Sequence, residues 1–158
     1  MAYRLIGVIL VIGSGIGYAY WLNRGMSACL VQIEGFLGLL RQIRVKVECF
    51  SLPIASILAS ADSELLRRCG YERGVPPANL GELVAYCRIR DGEAERLLVG
   101  FAAEFGRGYR EEQLRECDYY FSLLEQRRQA LSLALPLKKR RNSALCISGA
   151  LAAVILLL

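Results

Sequence analysis

Two long stretches without a charged residue, one near each end of this 158-residue chain, constrain its fold most. The first covers residues 5–22 and the second covers residues 144–158. A helix rises about 1.5 Å per residue, so the first stretch is long enough for a membrane-spanning helix. The second is shorter and spans a bilayer only if the preceding arginines reach toward the headgroups. We therefore predict membrane segments within residues 1–24 and 138–158.

The basic residues that flank these stretches predict an orientation in the membrane. Arg24 follows the first stretch. Four consecutive bases precede the second: Lys138, Lys139, Arg140 and Arg141. Positive charge is enriched on the cytoplasmic side of membrane proteins. We therefore expect a cytoplasmic domain over residues 25–137 and both chain ends on the opposite side, although Arg4 alone argues for the reverse.

The net charge of +5 is not evidence for a nucleic-acid-binding surface. Residues 24–136 carry fifteen basic and fifteen acidic side chains, so the excess comes from Arg4 and the four bases at 138–141. A nucleic-acid-binding domain carries its basic excess across a folded face. We therefore predict membrane lipid as a partner, and neither nucleic acid nor a small-molecule substrate.

The cysteines and histidines argue against a metal centre. The chain has six widely spaced cysteines, no C-x-x-C pair and no histidine. This composition lacks the common zinc patterns and the commonest metal ligand. We predict no metal and no cofactor, and we expect reduced, buried cysteines that act as small apolar residues.

Small residues recur at a four-residue spacing in both uncharged stretches. Gly13 and Gly17 form such a pair in the first, and Gly149 and Ala153 form one in the second. This spacing allows close helix packing in a membrane. These faces pack on each other or on a partner, or they reflect the ordinary composition of membrane helices.

The region between the two stretches has the periodicity of helices. Apolar residues recur at steps of three and four over about residues 26–49, which predicts one amphipathic helix there. They are Ile33, Phe36, Leu40, Ile43 and Val47. A second stripe follows Asp91, at Ala94, Leu98, Phe101 and Phe105. With no run of alternating residues, the pattern predicts an all-α bundle of about six helices.

Capping residues divide the first part of this region into short helices. Ser51 is a candidate cap before a helix that starts at Pro53. Asp62 or Ser63 caps the next helix, which ends at Gly70. A loop is expected over residues 71–77.

Similar signals divide the second part. Asn79 caps a helix that extends to Ile89, and Asp91 caps a helix that ends at Gly106. A long helix starts near Arg110, and Pro136 is expected to kink or end it. Its predicted seam comprises Leu114, Cys117, Phe121, Leu124, Leu131 and Leu135.

The sequence lacks the motifs of common enzymes, and we predict a protein that is not an enzyme. There is no phosphate-binding loop, and the usual general base, histidine, is missing. Two alternatives stay open. One is a membrane-bound enzyme that uses a carboxylate or a thiol, for which Cys87 beside Arg88 is the one crude candidate. The other is an extracytoplasmic lipoprotein lipidated at Cys29, because residues 26–29 resemble a lipoprotein cleavage site.

Three groups of residues follow the pattern of one known family. Pro53-Ile54 fits a Thr-Pro-Leu turn, with Leu52 in the threonine position. Phe105-Gly106 with Gln113 fits a Leu-Gly…Gln pattern, and the closing segment fits at residues 154–158, preceded by Leu145. In these residues, their order and the overall length, the chain resembles the stage III sporulation protein AB family of endospore-forming bacteria. The chain departs from the family pattern at Lys46, Cys49, Tyr109 and Cys146.

This resemblance implies a function for the predicted architecture. It implies a helical domain similar to the cytoplasmic domains of the inner-membrane F protein of type II secretion. It also implies membership of a channel-like complex between mother cell and forespore, with the chain in the cell membrane on the mother-cell side. The implied partners are other subunits of that complex and a cytoplasmic ATPase, stage III sporulation protein AA. We therefore expect a membrane-anchored scaffold that docks this ATPase.

Overall fold

The structure, a computed structural model, describes the backbone of residues 2–50 and 52–157, without the side chains at 2–6, 8, 9, 11, 150, 153, 156 and 157. Within these bounds the chain forms six helices and no strand, which confirms the all-α prediction. The helices are α1 (Ala2–Phe50), α2 (Ile54–Ala59), α3 (Ser63–Cys69), α4 (Leu80–Tyr86), α5 (Gly92–Glu104) and α6 (Arg110–Leu157).

The helices form two compact units. The terminal unit consists of Met1–Ala28 and Leu131–Leu158, and the central unit consists of Cys29–Ala130. The predicted boundaries, 24/25 and 137/138, lie four and seven residues from these. Helices α1 and α6 each contribute to both units, so the segments predicted as separate membrane helices are the outer parts of longer helices.

Among the described residues, no helix has both the length and the apolarity needed to cross a membrane. Part of each uncharged stretch lies outside the description: the side chains at 5, 6, 8, 9 and 11 in the first, and those at 150, 153 and 156–158 in the second. Membrane crossing by residues 5–22 and 144–158 stays a prediction.

The core of the central unit forms around the apolar stripe of α1. All five stripe residues predicted on α1 are buried, as are all four of the second stripe, three of them on α5 and Phe105 directly after it. Full burial of each large aliphatic or aromatic side chain contributes about 1.5–3 kcal/mol. Helix α3 packs directly on α1 at Gly35, where an added Cβ would lie 2.9 Å from the carbonyl carbon of Arg68.

The predicted N-caps define the starts of three short helices. The side chains of Asp62, Asn79 and Asp91 each accept a hydrogen bond from a backbone N–H two or three residues later, at 3.1, 2.8 and 2.9 Å. Each bond satisfies one of the amides that a helix start leaves without a partner. The Ser51 cap lies outside the described residues, and Pro53 itself precedes the first residue of α2.

Helix α4 ends at Tyr86, three residues before the predicted end at Ile89. The buried side chain of Gln32 explains the difference, because it forms hydrogen bonds with two backbone groups that follow the helix. Its Nε2 donates to the Arg88 carbonyl at 3.1 Å, and its Oε1 accepts from the Arg90 amide at 3.1 Å. These bonds hold residues 88–90 in a non-helical conformation.

Helix α6 continues through Pro136, so it does not end there, and the alternative of a kink at this residue stays a prediction. A proline inside a helix loses one hydrogen bond and costs about 3 kcal/mol. Helix α6 spans 48 residues, and the residues on both sides of Pro136 are helical.

The buried side of α6 also differs from the predicted seam. Cys117 and Leu124 are buried as expected, whereas Tyr120 is buried in place of Phe121. The Tyr120 hydroxyl donates to a carboxylate oxygen of Glu104 at 2.8 Å. Burial, together with this carboxylate, raises the pKa of Tyr120 to about 12.

Candidate functional site

An open groove in the central unit is the first candidate site. It has a volume of about 470 Å³ and lies where the end of α1, the α1–α2 linker, the end of α5 and the start of α6 meet. Eight residues line it: Val47, Leu52, Pro53, Ile54, Phe105, Gly106, Arg110 and Gln113. Five of these are apolar side chains, so most of the wall suits another apolar group.

The local sequence explains why the chain turns at this groove. Pro53 has an extended backbone, and its carbonyl accepts from the amides of Ser56 and Ile57 at 3.0 and 3.2 Å, which starts α2. Gly106 follows the end of α5 with a φ of +90°, a conformation that side chains with a Cβ rarely adopt. These turns bring Pro53 and Phe105 to the groove.

Two polar side chains form the other side of the groove. The Arg110 guanidinium donates to the carbonyl of Val47 at 3.3 Å and to the carbonyl of Glu48, in the last turn of α1. Such carbonyls lack partners within their own helix, and a cation is favourable there. Gln113 Nε2 donates to the Gly108 carbonyl at 2.9 Å.

The chemistry of the groove suits binding. None of the eight lining residues carries a carboxylate, a thiol or a hydroxyl group. These side chains therefore offer no nucleophile and no general base. An apolar wall beside a guanidinium fits a peptide segment that combines an apolar side chain with an acidic one.

The groove also gathers the residues that carry the sequence resemblance in the central unit. Leu52-Pro53-Ile54, Phe105-Gly106 and Gln113 lie far apart in the sequence, yet all of them line the groove. Pro53 and Gly106 have structural roles at helix ends as well. The sequence pattern thus corresponds to one surface of the central unit, which sequence spacing alone did not indicate.

The paired outer parts of α1 and α6 form the second candidate site, in the terminal unit. Asn23 Nδ2 donates to Ser143 Oγ at 3.3 Å, and Asn142 Nδ2 lies 3.7 Å from Met26 Sδ. The contacting positions rise along α1 as they fall along α6, so the helices are antiparallel. Residues 5–22 and 144–158 therefore lie on the same side of this contact.

The predicted topology residues lie together on the other side of the same contact. Arg24 is one residue from Asn23, and the basic block ends two residues before Ser143. Four of the five side chains are exposed, and Lys139 is half-buried. None of the five forms an ion pair with a carboxylate of the described residues. We call this group the cation layer: Arg24, Lys138, Lys139, Arg140 and Arg141.

The small residues of the two stretches make no close contact in the described part of the chain. A Cβ added at Gly13, Gly17 or Gly149 would meet no heavy atom within 4 Å. The side chain of Ala153 lies outside the described residues. Helix packing through these four residues stays a prediction.

The cysteines are free, and three of them fit the expectation of burial: Cys69, Cys87 and Cys117. Cys49 is exposed, because it lies on α1 beyond the buried stripe.

Burial raises the pKa of Cys87 to about 12, whereas an activated thiol has a lowered pKa. Cys29 lies inside α1 and is half-buried. The described residues hold no group of three potential metal-ligating side chains.

Two polar clusters of the central unit were not anticipated from the sequence. Gln32 is buried and bonds three backbone groups, including the Cys69 carbonyl at 2.8 Å. Arg127 donates to both carboxylate oxygens of Asp91, at 2.9 and 2.7 Å, and this lowers the pKa of Asp91. A lone amide beside the apolar stripe was the available signal for Gln32.

Comparison with protein-family models, with curated proteins and with solved structures gives no match for this chain. The family resemblance of the sequence therefore stays a prediction.

Proposed function

We propose that this protein is a membrane-anchored scaffold subunit of a secretion-like sporulation complex and that its central unit docks a cytoplasmic ATPase. In this proposal the chain acts in the cell membrane on the mother-cell side. Residues 5–22 and 144–158 hold it in the bilayer, and the ATP chemistry occurs on the partner.

The pairing of α1 and α6 is the observation that carries this proposal. The Asn23–Ser143 contact leaves both uncharged stretches on one side and all five members of the cation layer on the other. A polar contact between two apolar segments and a band of cations is the order expected at a membrane surface. The exposed Tyr18, Tyr20 and Trp21 lie just on the apolar side, as expected of an interfacial aromatic belt.

The groove supports the docking part of the proposal. It is open and mostly apolar, and it gathers the central residues of the family resemblance. Leu52 is 40% exposed at its wall, so its side chain is accessible to a partner. An apolar centre flanked by an arginine has the composition of a protein–protein contact.

Binding of the purified partner ATPase to the full-length protein in detergent micelles tests the docking. An acidic side chain in the apolar wall would place a charge against the apolar side chain of the partner and would repel its acidic one. We therefore expect Leu52→Asp to weaken binding at least about tenfold, which corresponds to about 1.4 kcal/mol.

Val99→Asp is the matched control, because Val99 is 51% exposed on α5 and does not line the groove. We expect its affinity to stay within about twofold of the wild type. Wild-type protein that does not bind the ATPase would contradict the docking function. Equal binding by Leu52→Asp and wild type would exclude the groove as the docking surface.

A further inference from the structure

The charges of this chain are divided unevenly between its two units. The terminal unit contains six basic residues and no acidic residue, whereas the central unit contains fourteen basic and fifteen acidic residues. The central unit is therefore close to neutral and compensates its own charges. The terminal unit contains no carboxylate side chain, so the counter-charge of its cations comes from outside the unit.

The cations of the terminal unit form a thin layer. With a rise of about 1.5 Å per residue, Arg24 lies about 1.5 Å along the axis from Asn23, and residues 138–141 lie about 3–7.5 Å from Ser143. Because the helices are antiparallel, both groups lie on the same side of the Asn23–Ser143 contact. By the same rise, the Cα atoms of the five basic residues occupy a band about 6 Å deep.

An apolar and aromatic surface adjoins this band. Tyr20 and Trp21 are each 68% exposed, Tyr18 is 57% exposed, and the rings of Tyr18 and Trp21 stack with centroids 6.1 Å apart. On α6 the neighbouring Leu145 is 65% exposed. A soluble polyanion would neutralise the cations and leave these side chains in water, whereas a lipid leaflet takes up both groups.

We propose that the cation layer binds the anionic headgroups of one lipid leaflet, while Tyr18, Tyr20 and Trp21 lie at the boundary of its hydrocarbon. The partner is a leaflet rich in a lipid with a net negative headgroup, such as phosphatidylglycerol. This inference rests on the proposed membrane anchoring and adds a lipid preference to it.

The sole tryptophan of the chain, Trp21, reports on the lipids that surround the layer. The full-length protein is reconstituted into vesicles of equal parts phosphatidylcholine and phosphatidylglycerol. In one set the phosphatidylglycerol carries bromine on its acyl chains, and in the other the phosphatidylcholine does. Bromine quenches a nearby tryptophan, so the ratio of the two quenching values measures which lipid surrounds Trp21. We expect phosphatidylglycerol to exceed phosphatidylcholine around Trp21 at least about twofold.

Neutralising the basic block tests whether the layer causes this excess. In the fourfold variant Lys138→Gln, Lys139→Gln, Arg140→Gln and Arg141→Gln, we expect a quenching ratio close to one. The matched control removes the same number of charges from exposed positions of the central unit and should keep the wild-type ratio. Its substitutions are Arg68→Gln, Arg88→Gln, Arg96→Gln and Arg107→Gln.

Salt gives a second measurement that needs no variant. Raising the salt from 0.1 to 1 M shortens the screening length from about 10 to about 3 Å and should reduce the wild-type excess. Strong but equal quenching by both brominated lipids would overturn the lipid preference and leave the anchoring intact. Absence of quenching by either lipid would overturn the anchoring as well.

Discussion

The buried amide of Gln32 connects three segments of the central unit. It donates to the carbonyls of Cys69 and Arg88 and accepts from the amide of Arg90. A single side chain thereby satisfies the end of α3 and the turn that precedes α5. No local sequence rule specifies such a contact, because its partners lie 37 to 58 positions away.

We expect Gln32→Leu to lower the free energy of unfolding by about 2–4 kcal/mol. Leucine has a similar size, but it leaves backbone groups without a hydrogen-bond partner, and each such group costs about 1–3 kcal/mol. Urea denaturation of the full-length protein in detergent micelles, followed by circular dichroism, measures the loss. Gln126→Leu, at an exposed position of α6, is the control and should change stability by less than about 0.5 kcal/mol. Equal stability of the two variants would exclude the role assigned to Gln32.

The ion pair between Asp91 and Arg127 predicts a pH dependence. The hydrogen bonds from Arg127 hold the pKa of Asp91 below its ordinary value of 3.8. The pair therefore stabilises the fold at pH values above 3.8, and this contribution is lost as the pH falls through the lower pKa of the folded state.

Asp91→Asn isolates this contribution, because asparagine keeps the helix cap but loses the charge. We expect it to cost about 1–2 kcal/mol at pH 7 and progressively less at pH values below 3.8, as measured by urea denaturation. Asp62→Asn is the control, since Asp62 caps α3 and forms no ion pair with a described residue. A penalty for Asp91→Asn that stays constant with pH would contradict the ion-pair account.

At the scale of single helices, local signals were sufficient where one residue decides the outcome. Asp62, Asn79 and Asp91 cap helices as their side chains predict, and Gly70 and Gly106 end helices with positive φ. In each case the side chain or backbone acts on groups within a few residues, so the sequence contains the whole interaction.

Local sequence signals did not predict the structure where contacts between residues far apart in the sequence determine it. Pro136 predicted a kink or an end in α6, and the end is excluded because the helix continues through it. Tyr120, which is not part of the predicted seam, is buried and donates to Glu104 on another helix, whereas Phe121 is only half-buried. The groove was not predictable either, since it depends on how α1, α2, α5 and α6 pack. The residues of the cation layer were predicted from the sequence as topology residues. The sequence did not show that they lie at one level along the two helices, which follows from the Asn23–Ser143 contact.

Gly106 gives a prediction at this scale. It has a φ of +90°, and an added Cβ would meet no described heavy atom within 4 Å, so the backbone conformation is the main obstacle to substitution. We expect Gly106→Ala to lower the free energy of unfolding by about 1–2 kcal/mol, as measured by thermal denaturation in detergent micelles.

Gly74→Ala is the matched control for this substitution. Gly74 is an exposed loop residue with equal space around it and no positive φ. Its replacement should be neutral or slightly stabilising, because alanine restricts the unfolded chain. Equal destabilisation by both substitutions would show that the φ of Gly106 is not the cause.

At the scale of the whole molecule, the two units differ in chemistry as well as in compactness. The central unit has a buried apolar core and nearly balanced charge, as expected of a domain that stays in water. The terminal unit has exposed apolar side chains, cations and no acidic residue. This division follows the charge count in the sequence and is the physical basis of the proposed anchoring.

The topology of the chain tests the central claim most directly, and Cys49 is a natural reporter for it. This cysteine is exposed on the central unit, whereas Cys69, Cys87 and Cys117 are buried. Intact cells that produce the full-length protein are treated with a membrane-impermeant maleimide, before or after permeabilisation, and labelled peptides are identified by mass spectrometry. An Ala2→Cys variant provides a thiol on the side predicted to face outward.

We expect Cys49 to be labelled only after permeabilisation. The thiol introduced by Ala2→Cys should react in intact cells, and the protein should be recovered in the membrane fraction. Labelling of Cys49 from outside intact cells, or recovery of the protein away from membranes, would contradict the proposed scaffold.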